Sequence, residues 1–157
     1  MIKTAILTVS DTRKKYNDIS GKIIRDILDK NGFRICKYEI VPDEIKEIKT
    51  KLIYYVDVIK SDLVLTTGGT GFAPRDVTPE STKIVIEKET SGIVEMMRVK
   101  SKTKFAYLSR AVAGIRKKTL IVNLPGSPDG VKECLNIILP VLKHAIEIIK
   151  GHTEHKT

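Results

Sequence analysis

Two aspartates in this sequence have the side chains expected of ligands for a divalent cation. Asp43 lies in the segment VPDE (41–44), and Asp76 directly follows Arg75. Mg²⁺ is typically held by one or two carboxylates together with the phosphates of a substrate. The two aspartates could hold Mg²⁺ through its water molecules. Local sequence alone favours a simpler role for Asp43, as the N-cap of a helix, and Asp76 could equally close a turn.

A glycine-rich turn lies between the two aspartates in the segment Thr66-Thr67-Gly68-Gly69-Thr70-Gly71. Its glycines lack the Cβ atoms that would hold a ligand away from the main chain. Backbone N–H groups, with the hydroxyls of Thr67 and Thr70, could then face a phosphate. The segment is not a P-loop, because no Gly-Lys-Ser/Thr follows, and it is not GxGxxG. A plain tight turn explains the glycines as well as a phosphate site does.

Other small, polar and charged residues, with one proline, follow the predicted strands and join the candidate site. They are Ser10, Asp11, Ser109, Arg110, Pro125, Gly126 and Ser127. Arg75 and Arg110 could offer forked donors to phosphate oxygens, and a surface ion pair is the alternative for each. Thr78-Pro79 and Ser127-Pro128 each place a capping residue before a first-turn proline. A helix N-terminus suits an anion, although each pair taken singly is explained as an ordinary cap.

Hydrophobic periodicity predicts the elements that position these residues. Strands are predicted at 3–9, 33–41, 62–66 and 105–108, with a hairpin over 111–123 that turns at Lys117-Lys118. Helices are predicted at 20–30, at 44–60, from Pro79 to a break at Ser91-Gly92 with a second short helix after it, and at 128–138 and 140–150 on either side of Pro140. The alternation predicts a mostly parallel, mixed sheet with helices on both faces. We expect one domain over 1–157 with a frayed tail at 151–157.

Small, polar and charged residues collect directly after the predicted strands, whereas the strand interiors are apolar. In open α/β sheets, ligands bind outside the carboxyl ends of the strands. The residues alone therefore indicate an α/β protein that binds a phosphorylated ligand.

Charge and composition narrow the partners further. The chain has 28 Lys and Arg against 19 Asp and Glu, a net charge of +9, which favours anionic partners. The basic residues are scattered without interleaved aromatic residues, so we expect no nucleic-acid partner.

No apolar stretch reaches spanning length and no secretory signal is present, so we expect a cytoplasmic protein without membrane contact. Cys36 and Cys134 have no metal or redox spacing and are expected to be reduced thiols.

The histidines argue against several kinds of catalysis. His144, His152 and His155 lie in the last predicted helix and the tail, outside every strand-end loop. A Ser-His-Asp or Cys-His mechanism is therefore not expected, and neither is a zinc site. An enzyme of this kind would act by positioning and electrostatics, as nucleotidyl transfer does.

Several segments resemble the molybdopterin adenylyltransferase family, which includes the Mog and MoaB proteins and the G domain of gephyrin. The longest are LVLTTGGTGFAPRDVTPE (63–80) and LSRAVAGIRKKTLIVNLPGSPDGVKECL (108–135), joined by VPDE (41–44), VSDT (9–12) and DISG (18–21). The resemblance spans nearly the whole chain and implies a three-layer α/β/α sandwich. It also implies Mg²⁺-dependent transfer of adenylate from ATP to the terminal phosphate of molybdopterin, with release of pyrophosphate.

The resemblance implies roles for individual residues. Metal binding, nucleotide binding and catalysis would fall on Asp43 and Asp76, and residues 66–71 would line the site for nucleotide and pterin phosphate. Ser109, Arg110 and 125–128 would complete the pterin side. The attacking group would be the substrate's own phosphate, so no protein nucleophile is needed, which agrees with the placement of the histidines.

The resemblance also implies a homotrimer, with a hexamer as the alternative. A metal-insertion protein is a further candidate partner. The resemblance does not decide whether the pathway uses molybdenum or tungsten. The link 97–105 looks shorter than is usual in the family. A shorter link would alter a loop in the wall of the pocket and a contact between subunits. A non-catalytic pterin-binding or scaffold member is the alternative function. The presence of Asp43 and Asp76 argues against an inactive member, and the lack of an appended domain argues against a scaffold.

Overall fold

A mixed sheet with helices on both faces forms the fold in the computed structural model, which describes residues 1–152. The strands are β1 (Ile2–Val9), β2 (Phe33–Val41), β3 (Leu63–Thr67), β4 (Lys88–Glu89), β5 (Ala113–Arg116) and β6 (Thr119–Leu124). The α-helices are α1 (Ile19–Lys30), α2 (Ile45–Ile53), α3 (Thr78–Val85), α4 (Ser91–Lys100) and α5 (Pro128–Ile149). Short helical turns cover Lys15–Asn17, Tyr54–Val58 and Lys104–Leu108.

The strand order places the predicted site residues at one edge of the sheet. The order is β2-β1-β3-β6-β5-β4, and β2, β1, β3 and β6 run parallel to their neighbours in that group. Thr8 of β1 is level with Thr67 of β3, which is level with Leu124 of β6. The loops that follow these strands therefore start side by side. β5 is antiparallel to both β6 and β4, so the predicted hairpin and the mixed sheet are confirmed.

Two apolar cores, one on each face of the sheet, give the predicted three layers. Successive side chains of a strand point to opposite faces, and β3 shows this directly. Leu65 packs into the core beneath α1, α4 and α5, whereas Val64 packs into the core beneath α2 and α3. Aliphatic side chains fill most of both cores, as the scarcity of aromatic residues requires.

Two predicted elements are wrong. The predicted strand at 105–108 is a 3₁₀ turn, Lys104–Leu108, in which Phe105, Tyr107 and Leu108 are exposed. β5 already has strand neighbours on both sides, so this segment has no free sheet edge beside that strand. The helix predicted from Pro79 to Ser91 ends at Val85, because Lys88–Glu89 instead pairs with β5 as a short edge strand.

The two helices predicted around Pro140 form one continuous helix, α5. Proline inside a helix removes one hydrogen bond and clashes with the carbonyl four residues earlier. The helix nevertheless continues because the residues on either side of the proline, Ile138 and Leu142, are both fully buried in the same core. Burial of this face outweighs the local cost of the proline. None of the helices among residues 1–152 combines the length and apolar character needed to cross a membrane.

Replacing Pro140 with alanine should stabilise the protein. The exposed position would regain a backbone N–H that can donate to the carbonyl of Asn136, so we expect the free energy of unfolding to rise by about 1–3 kcal/mol. Urea unfolding followed by circular dichroism measures the change. The matched control is Asn136→Ala on the same helix, which should gain only about 0.5 kcal/mol from helix propensity. A less stable P140A protein would show instead that α5 requires the proline geometry to pack.

Candidate functional site

Asp11 and Asp43 join the loops that follow β1 and β2. The Asp11 N–H donates to Asp43 Oδ2 at 2.9 Å, and the Asp43 N–H donates to Asp11 Oδ1 at 3.0 Å. The local expectation that Asp43 caps a helix is wrong, because Glu44 is the N-cap residue of α2 and its side chain makes no capping bond. The carboxylate of Asp43 is thus free of the helix and belongs to the edge of the sheet.

Arg75 ties the loop after β3 to the same pair. Its Nε donates to Asp11 Oδ2 at 2.7 Å, and its Nη2 donates to Asp11 Oδ1 at 2.9 Å. This forked ion pair lowers the pKa of Asp11 to about 2. The alternative of a surface ion pair is therefore confirmed for Arg75, and Asp11 stays ionised at neutral pH.

The two predicted metal ligands lie beside the glycine turn. A Cβ atom on Gly69 would lie 3.1 Å from Asp43 Oδ1, and one on Gly71 would lie 2.9 Å from Asp76 Oδ2. Asp76 also closes its own turn, since its Oδ2 accepts from the Ala73 N–H at 3.0 Å. The aspartates, which are 33 positions apart in sequence (76 − 43), therefore lie beside the same glycine-rich segment.

The electrostatics of Asp43 suit a cation. Burial raises the pKa of its carboxyl, and the nearby negative charges of Asp11 and Asp76 raise it further. A divalent cation beside these oxygens would relieve that repulsion, and carboxylates are ligands that Mg²⁺ accepts when phosphates complete its shell. Among residues 1–152, no cluster of three or more His, Cys, Asp or Glu side chains could hold a metal ion.

The glycine turn has a backbone that only glycine adopts readily. Gly68 and Gly69 have φ values of +97° and +69°. A Cβ atom on Gly68 would lie 2.3 Å from the Val9 carbonyl oxygen, and one on Gly69 would lie 2.3 Å from Thr78 Oγ1. The Thr78 hydroxyl donates to Gly68 O at 2.9 Å. Thr78 therefore fastens the turn, and the prediction that it caps α3 is wrong, since Val77 is the N-cap residue.

Two threonines of the turn make hydrogen bonds to the surrounding scaffold. Thr66, Thr67 and Thr70 are all buried. The Thr66 hydroxyl accepts from Asn123 Nδ2 at 3.0 Å, and the Thr67 hydroxyl donates to the Pro125 carbonyl at 2.6 Å. The Thr67 hydroxyl is thus bound to the neighbouring loop, contrary to the expectation that it faces a phosphate. The backbone of the turn is the part that remains suited to a ligand.

The turn at 125–127 packs against the glycine turn. A Cβ atom on Gly126 would lie 3.2 Å from the Cα of Gly68. The Gly126 carbonyl accepts from Arg13 Nη2 at 2.8 Å and from the Ser20 hydroxyl at 2.7 Å. The Ser127 hydroxyl accepts from the Gly130 N–H at 3.1 Å, so its predicted role as the N-cap of α5 is confirmed.

A buried carboxylate, Asp18, supports this corner of the site and was missed by sequence reasoning. It is fully buried and accepts from the Thr8 hydroxyl at 2.6 Å, from the Gly21 N–H at 3.1 Å and from the Tyr38 hydroxyl. Arg13 Nη1 lies 3.8 Å from Asp18 Oδ1. Burial and the Asp18 hydrogen bond raise the pKa of Tyr38, so that phenol stays a donor. The DISG segment was the one signal in the sequence that pointed to Asp18.

Arg110 and Ser109 reach the site from the segment before β5. The guanidinium of Arg110 donates to the carbonyl oxygens of Gly71 and Asp76 and to Glu80. All three of these acceptors belong to the protein. The structure therefore does not favour the forked contact from Arg110 to a phosphate that the sequence suggested. The Ser109 hydroxyl accepts from the Ala111 N–H at 3.3 Å.

An open basic cleft of about 430 Å³ adjoins Asp11. Its lining residues are Ser10, Asp11, Arg13, Lys14, Lys15, Glu39, Ile40, Val41 and Pro42. The three cations belong to the loop after β1 and outnumber the two carboxylates of the lining. The cleft therefore suits an anionic group that extends away from the glycine turn.

Comparisons with known proteins show the family of the chain. A family model described as a probable molybdopterin binding domain matches residues 5–144. The chain belongs to this family. A molybdopterin adenylyltransferase of Helicobacter pylori (strain J99) is 44% identical, and the match covers 96% of this chain and 89% of the relative. The resemblance seen in the sequence motifs is thereby confirmed.

Solved structures of relatives confirm the fold of this molybdopterin binding domain. The molybdopterin biosynthesis enzyme MoaB from Thermus thermophilus matches with a TM-score of 0.90 and 46% identity, over 96% of this chain and 98% of that one. A tungsten cofactor synthesizing protein, MoaB from Pyrococcus furiosus, matches with a TM-score of 0.80 and 36% identity, over 96% and 98%. The relatives place the chain among proteins of molybdopterin-cofactor biosynthesis.

Proposed function

We propose that this chain is a molybdopterin adenylyltransferase, an enzyme that transfers adenylate from Mg²⁺-ATP to the terminal phosphate of molybdopterin and releases pyrophosphate. The observation that carries the proposal is the placement of Asp43 and Asp76 beside the same glycine turn, in which Gly68 and Gly69 have left-handed backbone. Two carboxylates beside a backbone that lacks Cβ atoms suit a magnesium-bound phosphate. The name of the Helicobacter pylori relative supports the same activity.

The reaction needs positioning rather than a protein nucleophile. An oxygen of the pterin phosphate forms the new bond to the α-phosphorus of ATP, and the bond from that phosphorus to the bridging oxygen breaks as pyrophosphate leaves. Asp43 and Asp76 would hold Mg²⁺, which supplies charge neutralisation on the phosphates. The backbone of 68–71 would orient the reacting phosphates, and close positioning of this kind accounts for much of the catalysis of phosphoryl transfer.

The remaining predicted site residues divide between the two substrates. Ser10 and Asp11 border the basic cleft, where Lys14 and Lys15 would attract the triphosphate of ATP. Ser109 and the turn at 125–127 would border the pterin, with Arg110 beside them. Arg75 would act by holding Asp11 rather than by binding phosphate, since both of its forked donors already contact that carboxylate.

A homotrimer is the proposed assembly, with a hexamer as the alternative. Large apolar side chains are exposed at Phe72, Phe105, Tyr107 and Leu108, close in sequence to the site loops. Contact with a second copy would remove this apolar surface from water. The helical turn Lys104–Leu108, which contains three of these residues, overlaps the end of the link 97–105, so the length of that link would affect the same subunit contact. We also propose that the protein is cytoplasmic and that a metal-insertion protein is one of its partners.

The deciding experiment incubates the protein with molybdopterin and ATP, with and without Mg²⁺, and measures adenylylated pterin. Product that requires Mg²⁺ would support the proposal. Bound pterin without product would favour the alternative, a non-catalytic member that binds molybdopterin or serves as a scaffold.

A further inference from the structure

The guanidinium of Arg110 donates hydrogen bonds to both ends of the turn at 71–76, which carries Asp76. Its Nε donates to Gly71 O at 2.8 Å, and its Nη2 donates to Asp76 O at 2.8 Å. Its Nη1 donates to Glu80 Oε2, in the first turn of α3, at 2.7 Å. The Arg110 N–H adds a bond to Thr70 O at 2.8 Å. One residue therefore links the end of the glycine turn, the aspartate turn and α3.

Arg98 on α4 holds the main chain on either side of Arg110. Its Nε donates to Ser109 O and its Nη2 donates to Ala111 O, each at 3.0 Å. Hydrogen bonds from a charged donor are stronger than neutral ones, and the planar fork of arginine fixes the two carbonyls relative to each other. The orientation of Arg110 is therefore set from α4.

We propose that Arg98 and Arg110 are positioning residues that act in series: Arg98 orients Arg110, and Arg110 holds Asp76 against the glycine turn. The inference rests on the proposed function, because Asp76 is the residue whose placement it explains. Neither arginine needs to touch the reacting atoms. Their effect on the rate comes from geometry, since a displacement of about 1 Å in a catalytic group can cost on the order of 100-fold in rate.

Variants of Arg110 separate positioning from phosphate binding. Lysine can bind phosphate as a point charge, but it cannot make three forked contacts at once. We expect Arg110→Lys to lose nearly as much turnover as Arg110→Gln, about 100-fold, with the loss in kcat and little change in KM for ATP or pterin. Recovery of activity in Arg110→Lys, with a raised KM in Arg110→Gln, would overturn the proposal in favour of a phosphate ligand.

A double-mutant cycle tests whether the two arginines act in series. We expect Arg98→Gln alone to lower kcat by roughly 10- to 100-fold. The double variant should be no slower than Arg110→Gln, because residues that work through one another are not additive. Losses that multiply in the double variant would mean that Arg98 acts independently, and the series would be wrong.

Amide hydrogen exchange over residues 71–81 tests the same coupling without any turnover. Exchange in this segment should become faster in both Arg98→Gln and Arg110→Gln, even if the wild-type protein makes no product and the proposed function fails. Unchanged amide exchange over residues 71–81 in Arg98→Gln would overturn the proposal that Arg98 acts through Arg110. If Arg110→Gln does not fold, Glu80→Ala replaces it, since that variant removes one of the three guanidinium contacts and should give a smaller change of the same kind.

Arg116 provides the matched control. Its Nε and Nη2 donate to Asp57, and its Nη1 donates to the Val85 carbonyl. It thus has the same number of forked contacts as Arg110 but lies on β5 away from the aspartate turn. Arg116→Gln should leave kcat and the exchange of 71–76 unchanged. An equal effect in this control would attribute the losses to general destabilisation and overturn the proposal.

Discussion

Asp76→Asn and Asp43→Asn are each expected to lower kcat for adenylylated pterin by about 100-fold or more, while the protein stays folded. Asparagine keeps the shape of the side chain, and its amide oxygen can still accept the bond that Asp76 takes from the Ala73 N–H. What it removes is the negative charge beside the glycine turn. Without that charge the site should hold Mg²⁺ less well, so the Mg²⁺ concentration needed for half-maximal rate should rise.

The measurement is steady-state turnover across a series of Mg²⁺ concentrations. Asp29→Asn serves as the control, because Asp29 is an exposed aspartate on α1 away from the strand-end loops. Its kcat and Mg²⁺ dependence should match those of the unaltered protein. Unchanged rates in both site variants would contradict the roles assigned to Asp43 and Asp76.

Asp18→Ala is expected to lower the free energy of unfolding by about 3–5 kcal/mol. The carboxylate is fully buried and accepts from two hydroxyls and a backbone N–H. Removing it would leave Thr8 and Tyr38 without their acceptor and Arg13 without its counter-ion. Unsatisfied buried donors are costly, and α1 would also lose its N-cap side chain.

Asp26→Ala on the same helix is the matched control for stability. The Asp26 side chain is 62% exposed, and its one ion pair, with Arg25, is 3.7 Å long. Surface substitutions of this kind change stability by about 0.5 kcal/mol or less. Urea denaturation of both variants gives the comparison. A similar small change in Asp18→Ala would show that the buried network contributes little to folding.

Loss of Asp18 should also change the geometry of the candidate site. Arg13 lies between Asp18 and the Gly126 carbonyl, at 3.8 Å from one and 2.8 Å from the other. The turn at 125–127 packs against Gly68, so an Arg13 freed from Asp18 would loosen the pterin side of the pocket. The network thus connects the stability of α1 to the geometry of the glycine turn.

Much of the fold could be predicted from local patterns. Alternating and continuous apolar runs correctly predicted β1, β2, β3 and the hairpin of β5 and β6, because the burial of a strand leaves its period in the sequence. The predicted strand at 105–108 failed for a non-local reason. A strand requires a free edge, and apolar residues without one form an exposed helical turn here.

Local signals also failed at Pro140 and at Lys88–Glu89. The proline is a strong local signal for a helix end, but apolar burial along both halves of α5 is a tertiary effect that outweighs it. Lys88–Glu89 is two exposed charged residues, and it is a strand only because β5 offers it an edge. Both outcomes depend on neighbours that are distant in sequence.

For the site, the order of residues along the chain was enough to predict which loops meet. Parallel strands bring their carboxyl ends to one edge, so polar residues after β1, β2, β3 and β6 had to gather there. The individual partners were decided by the tertiary structure. Asp43 bonds Asp11 across 32 positions, Arg110 bonds Gly71 across 39, and Ser20 bonds Gly126 across 106. Such pairs leave no period in a sequence, because the distance between two side chains depends on how whole layers pack.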